Sequence, residues 1–304
     1  MRPSPLPLAV ALASATAVTL VSQFQYQSGI DLVGLTVSVV SREGGPVTDL
    51  QADDFEVRED GVLQNVSYFS AGSDDKAVPL HIGLLFDTSE SMEKDLSFSR
   101  SAAIRFLNTF PKALDFTLVD FDTEVRAARF SQEEFPNLVA RIRNRQAKGF
   151  TALYDALSVY LGGAFDQTGR KVLVIYTDGG DTSSSRTWAE TIRILRASDV
   201  TVYPIGFMAN RGPARLIQQE RLSEIASLTG GLALFPRVMK DLEGMYSRIG
   251  DEIQRQYMLG YVSSNAAKNG AWRRIDVRVR RPASSRLQVR ARQGYFAPTS
   301  SKAR

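Results

Sequence analysis

Along the chain the apolar positions change period twice. From about Asp31 to Phe69 they alternate with polar ones: Thr36 and Ser38 separate Leu35, Val37 and Val39, and Glu56 separates Phe55 from Val57. Period two sends successive side chains to opposite faces, so these runs predict half-buried strands. Gly44-Gly45-Pro46 and Asp60-Gly61 supply turns between them, and the strands are expected to be short and antiparallel. Ser70–Lys76 reads as a polar linker.

From about Val78 to Arg237 the strand-like runs are mostly apolar rather than alternating: residues 81–86 (HIGLLF), 116–121, 172–176 (VLVIY), 200–205 and 232–235. Amphipathic stretches separate them, at residues 99–110, 133–143, 152–164, 187–197 and 218–228. Apolar strands joined by helices predict a mainly parallel sheet covered on both faces. Residues 241–256 predict one more helix.

Beyond it the period-two pattern returns. Ile275, Val277 and Val279 share one face, and so do Leu287, Val289 and Ala291, with residues 282–285 as the expected hairpin connection. Neither β zone has enough strands to bury a face alone. The expected architecture is therefore α/β: a doubly wound, mainly parallel sheet over residues 77–238, inserted in a small β-sandwich-like domain. That second domain is expected to form from residues 28–72 paired with 257–298, and residues 239–256 are the linking helix.

Residues 1–22 (MRPSPLPLAVALASATAVTLVS) carry one arginine, Arg2, then an uncharged apolar stretch with small-residue sites. This layout predicts a secretory signal peptide, with a retained membrane anchor as the alternative. Export to the periplasm, cell envelope or medium follows as the expected location.

Composition narrows the chemistry. Of 304 residues 43% are hydrophobic and 23% charged, a globular rather than a disordered balance. Cysteine is absent, which excludes disulfides, thiolate metal sites and thiol nucleophiles. Histidine occurs once, as His81 at the start of a strand, where a structural role is expected. Any metal must therefore be held by oxygens.

Oxygen donors gather at the carboxyl ends of two predicted strands, where open α/β sheets bind ligands. Asp87-Thr88-Ser89-Glu90-Ser91 follows HIGLLF, and Thr177-Asp178-Gly179-Gly180-Asp181 follows VLVIY. Thr151 sits between them, just before a helix. Taken singly, Ser89, Ser91 and Thr151 would also suit helix caps. Taken together, Asp87, Ser89, Ser91, Thr151 and Asp178 form a hard-oxygen set with few carboxylates, which suits Mg2+, with Mn2+ or Ca2+ as substitutes. Asp181 and Glu90 flank the set as solvated loop charges or as acceptors for bound water. Tyr154, Tyr176 and Phe207 fall on core positions.

These residues resemble the metal-ion-dependent adhesion site of the von Willebrand factor type A domain: Asp87-x-Ser89-x-Ser91, Thr151 within GFTALYDAL, and Asp178 within TDGGD. The flanks resemble an exported bacterial "VWFA-related" family, in VSVVSREGGPVTDLQADDFEVREDGVLQNVSYF before the domain and in RQYMLGYVSS and VRARQGYFAP after it. The resemblance implies a doubly wound fold and a Mg2+ ion ligated by Ser89, Ser91 and Thr151, with Asp87 and Asp178 acting directly or through water. It further implies a protein partner whose Asp or Glu completes the metal shell, and movement of the 241–256 helix on binding.

The expected function is a metal-dependent protein-binding or adhesion module, not an enzyme. Two alternatives remain: metal-dependent phosphoryl transfer with Asp87 as nucleophile, or a structural envelope protein with an unused site. Against catalysis, position 89 is Ser rather than a second carboxylate, a Gly-rich phosphate loop is missing, and one histidine builds no Ser-His-Asp set. Arg273, Arg274, Arg278, Arg280, Arg281, Arg286, Arg290 and Arg292 make the last zone basic. Alternation puts most of them on the solvent face, where they keep an edge soluble or meet an acidic polymer, lipid or partner. Export argues against nucleic acid.

Overall fold

Five strands make the central sheet of the computed structural model, which describes residues 32–72, 78–178, 180–207, 213–281 and 286–299. They are β5 (Leu80–Asp87), β6 (Asp115–Phe121), β7 (Val125–Ser131), β8 (Arg170–Thr177) and β9 (Thr201–Gly206), in the order β7-β6-β5-β8-β9. β6, β5, β8 and β9 run parallel, and β7 pairs antiparallel with β6 at the edge. β8 is buried at every position because both faces are covered. On one face Ile82, Leu84 and Phe86 meet α1 (Leu96–Asn108), α2 (Phe135–Asn144) and α6 (Asp241–Gln254). On the other, Leu85, Val119 and Leu173 meet α3 (Leu153–Ala164), α4 (Trp188–Ala197) and α5 (Pro213–Thr229). Gly83 lets α3 lie flush on β5: a Cβ there would come within 2.2 Å of the Tyr160 ring.

The flanking segments build two four-stranded sheets together. One runs β12-β1-β10-β4 and the other β13-β11-β2-β3. The strands are β1 (Leu32–Ser41), β2 (Phe55–Glu59), β3 (Val62–Gln64), β4 (Val66–Ala71), β10 (Tyr257–Val262), β11 (Trp272–Val279), β12 (Leu287–Arg290) and β13 (Gly294–Phe296). Their inward faces share one core, with Leu35, Val37, Val57, Leu259 and Tyr261 fully buried. The architecture is thus the expected doubly wound α/β sheet with a β-sandwich-like partner.

Four expectations need correction. β11 and β12 are not a hairpin. β11 has β2 on one edge and β13 on the other, so β12 joins the opposite sheet, antiparallel to β1. The connection at 282–285 lies outside the described residues, as do residues 1–31, with the leader, and 73–77 of the linker. Residues 232–235 form no strand. Leu234 makes a single parallel bridge to Ile205, and Pro236 leaves no room to extend it. β7 appears where none was expected, because Arg126 and Arg129 break its apolar alternation.

The last correction concerns the arginines. Arg273 is only 3% exposed and pairs with Glu59, while Arg280 pairs with Glu56, Arg281 with Asp49 and Asp54, and Arg290 with Glu252. Much of the basic zone is therefore neutralised within the fold. No described helix is long and apolar enough to cross a membrane.

Candidate metal centre

β5 and β8 are neighbours and end side by side, which brings Asp87 next to Thr177 and Asp178. After Asp87 the chain turns sharply. Asp87 Oδ1 accepts the Ser89 N–H at 2.9 Å, and Oδ2 accepts the Thr177 hydroxyl at 2.6 Å. Ser89 begins a short 3-10 turn, Glu90–Met92, yet its side chain makes no capping hydrogen bond. Its Oγ lies 3.1 Å from Ser91 Oγ, and Ser91 Oγ donates to Asp178 Oδ1 at 2.8 Å. Asp87, Ser89, Ser91 and Asp178 thus form one continuous polar chain.

Thr151 reaches the same rim through backbone bonds. Lys148 N–H donates to Thr88 O at 2.9 Å, and Glu90 N–H donates to Gly149 O at 3.1 Å. Thr182 N–H donates to Thr151 O at 2.8 Å, and Thr182 Oγ1 accepts the Thr151 N–H at 2.9 Å. The loop needs glycine at 149: φ is +69°, and a Cβ would sit 2.5 Å from Thr123 Oγ1. Thr151 precedes Ala152, the N-cap residue of α3, so the capping role considered for Thr151 does not hold. Among the described residues the Thr151 hydroxyl makes no hydrogen bond to the other four.

The site is graded from dry to wet. Asp87 is 0% and Ser89 1% exposed, whereas Ser91 is open to solvent. Burial pushes the Asp87 carboxyl up to about 6, against the hydrogen bonds from Thr177 and Ser89 that favour its charged form. Burial also raises the Asp178 carboxyl, opposed by the Ser91 hydroxyl. Among the described residues no Lys, Arg or His pairs with either, and no cluster of three or more His, Cys, Asp or Glu forms a conventional metal cage. Hydroxyls and two cation-starved carboxylates are a hard-oxygen set, so the residues fit Mg2+ by their chemistry.

Two supporting groups were not anticipated. Thr177 orients Asp87; it stands one residue before Asp178 at the end of β8, but its facing toward β5 shows only once the strands pair. Asp120 on β6 is the other. It is 0% exposed and takes Arg126 Nε at 2.9 Å and Arg141 Nε at 2.8 Å. Arg145 Nε sits 2.8 Å away, close enough for an ion pair though off the line of a hydrogen bond. Arg126 also pairs with Asp122, whose carbonyl accepts the Ala152 N–H at 3.0 Å, so this ion cluster braces the loop that carries Thr151.

The flanking residues take structural roles. Asp181 Oδ1 accepts the Tyr154 N–H at 3.1 Å, which fixes the first turn of α3. His81, at the other end of β5, lies 3.0 Å from Asp115 Oδ2 and 3.1 Å from Thr168 O. Tyr154 and Tyr176 are buried, and Phe207 packs partly buried against the core.

No curated protein matches the sequence. Among solved structures, von Willebrand factor type A from Catenulispora acidiphila superposes with a TM-score of 0.52 at 11% identity, covering 91% of this chain and 76% of that one. The pilus adhesin SpaC from Lactobacillus rhamnosus GG, in an open conformation, gives a TM-score of 0.52 at 10% identity over 83% of this chain and 49% of that one. The PilB minor pilin from Streptococcus sanguinis gives 0.50 at 15% identity over 60% of this chain, which spans 62% of the pilin's length. These likenesses are of fold. The profile of the von Willebrand factor type A domain matches residues 81–247, more than half of the sequence, and the chain belongs to that family.

Proposed function

We propose that this protein is a metal-dependent protein-binding module of the cell exterior. Asp87, Ser89, Ser91, Thr151 and Asp178 would hold one Mg2+ ion, and an Asp or Glu of a partner protein would complete its shell. The ion would supply Lewis acidity toward that carboxylate. The observation that carries the reading is the pair Asp87 and Asp178: a fully buried and a half-buried carboxylate at a strand-end rim, linked through Ser89 and Ser91, without a basic side chain beside them among the described residues. A dication there relieves their desolvation, and its residual charge attracts an external carboxylate.

Each residue has a part in this. Thr177 and the Ser89 N–H fix both Asp87 oxygens, and the Asp120 cluster holds the Thr151 loop against the Asp87–Ser91 turn. The exposed Ser91 side leaves an approach for the partner. A catalytic reading finds little support. His81 lies six residues before Asp87 along an extended strand, about 20 Å away, so the single imidazole serves no base at this rim. Export rests on the apolar pattern of residues 1–22, and with a pilus adhesin and a minor pilin among the fold neighbours, adhesion at the cell exterior is the kind of task such a module would serve.

The test is retention of Asp- or Glu-bearing peptides on immobilised protein in Mg2+. Release by chelator, and no retention by Asp87→Ala, is the expected result. Retention indifferent to chelator, or metal-dependent hydrolysis of a phosphate ester that Asp87→Asn abolishes, contradicts it.

A further inference from the structure

Beside the metal rim, on the face covered by α3, α4 and α5, lies a cavity of about 150 Å³. Its floor is apolar: Leu153, Leu222 and Ile225 are at most 3% exposed. An apolar cavity of about this size holds a benzene-sized group. It also shares its wall with the site. Leu153 and Tyr154 follow Thr151 by two and three residues, and Gly180 and Asp181 follow Asp178 by the same steps. Two residues span at most about 7 Å, so one short extended segment reaches both places.

Arg221 gives the cavity its character. Its guanidinium lies 5.3 Å from the Trp188 ring centre and 5.9 Å from that of Tyr154, and Nη1 donates to the Tyr154 hydroxyl. Two aromatic faces hold the cation in place. Among the described residues it has no carboxylate partner, and its other donors have no acceptor. Asp181 on the same lining keeps its negative charge but is held by the Tyr154 N–H and the Ser184 hydroxyl, and it forms no ion pair with Arg221. At the mouth, Ile217 is 51% exposed.

We propose that this cavity is a second anchor for the same partner, taking an aliphatic side chain of an acidic segment whose neighbouring Asp or Glu meets the metal rim. The proposal rests on the partner-binding reading above. The occupant follows from three features together: an apolar floor with Ile217 at the mouth, a guanidinium held by two aromatic rings that no carboxylate pairs and that disfavours lysine, and a reach of two residues to the rim. A carboxylate alone satisfies the rim; the cavity adds selectivity for what stands beside it.

The experiment uses protein carrying Trp272→Phe, which leaves Trp188 as the only tryptophan of two. The probes are blocked peptides in which zero to three glycines separate Asp from Leu, with Ser-for-Leu, Lys-for-Leu and Asn-for-Asp versions. Mg2+ alone is titrated in parallel. Leu should bind about tenfold more tightly than Ser at the best spacing, as burial of one aliphatic side chain gives. Lys should bind worse than Ser, and Trp188 emission should shift with the Leu peptide only. Ile217→Asp, at an exposed position, should erase the Leu advantage and leave Mg2+ affinity unchanged, while Arg221→Gln should erase the penalty on Lys.

Equal affinity for Leu and Ser peptides overturns the cavity's role and leaves the metal reading intact. So does binding of Mg2+ with no peptide bound at any spacing. A Leu advantage that survives both chelation and Asn-for-Asp replacement overturns the metal reading and leaves the cavity standing.

Discussion

Asp87 and Asp120 sit one rung apart on adjacent strands, both 0% exposed, and the fold treats them in opposite ways. Asp120 is surrounded by the guanidinium groups of Arg126, Arg141 and Arg145. Among the described residues Asp87 receives only hydroxyl and backbone N–H donors, from Thr177 and Ser89. The β-sandwich-like domain repeats the first solution: Glu59, 2% exposed, is met by Arg273 at 3.3 Å and by the hydroxyls of Tyr261, Tyr295 and Ser263. Buried carboxylates in this protein are compensated by arginine where their role is architectural. At the β5–β8 rim compensation is withheld, and a charge left buried without a counter-ion is costly unless something external supplies it.

Four changes break or sharpen this contrast. Asp120→Ala should have the largest effect. It strands three partly buried guanidinium groups and should cost about 3–5 kcal/mol in urea unfolding, with or without Mg2+. A cost under about 1 kcal/mol would mean that the cluster braces nothing.

Asp87→Asn should act in the opposite sense. Moving a carboxyl from 3.8 to about 6 corresponds to roughly 3 kcal/mol of unfavourable ionisation. Without metal, at pH above 7, the variant should therefore be more stable than wild type by some part of that amount. Equal or lower stability speaks against uncompensated burial.

The pH profile follows from the same sign. Because the folded carboxyl is raised, the contribution of Asp87 to the stability of the metal-free protein is fully present below about pH 4 and is lost as pH climbs through about 6. Mg2+ competes with that proton, so metal-induced stabilisation should be small at pH 5 and near its full value by pH 7.5, about 2.7 kcal/mol at a hundredfold excess over Kd. Chemical denaturation at the two pH values, with Mg2+ and with chelator, measures it. A Mg2+ effect independent of pH removes Asp87 from the metal's neighbourhood.

Ser91→Ala is the mildest. The side chain is exposed, so metal-free stability should move by less than about 1 kcal/mol, while Mg2+ affinity by calorimetry should fall about tenfold. Unchanged affinity assigns Ser91 to the turn alone.

Much of this was legible in the sequence, for identifiable reasons. The apolar runs HIGLLF and VLVIY mark strands buried on both faces, and amphipathic helices between them imply a parallel sheet; β5, β8 and the covering helices follow. β7 was not legible, since an edge strand carrying Arg126 and Arg129 lacks the apolar alternation of its neighbours. Nor was the partner of β12, because period two fixes which face a side chain takes and not which strand lies alongside.

At the rim, carboxylates and hydroxyls at strand ends are conspicuous in one dimension, and the structure gathers Asp87, Ser89, Ser91 and Asp178 in one chain of hydrogen bonds. Thr177 and the Asp120 arginines work through lateral neighbours contributed by β5, β6 and α2, so their roles depend on pairing and packing that no local motif encodes. Arg221 is likewise an ordinary helix residue until α5 lays it across Trp188.

The most direct test of the central claim is thermal unfolding at pH 7.5 of wild type and Asp87→Asn, each with saturating Mg2+ and with chelator. A rise in Tm with Mg2+ in wild type, together with a variant that melts higher than chelated wild type and ignores the metal, is the predicted pattern. A wild-type Tm that does not respond to Mg2+, or a variant that still gains from it, contradicts the claim that this rim is built for a dication.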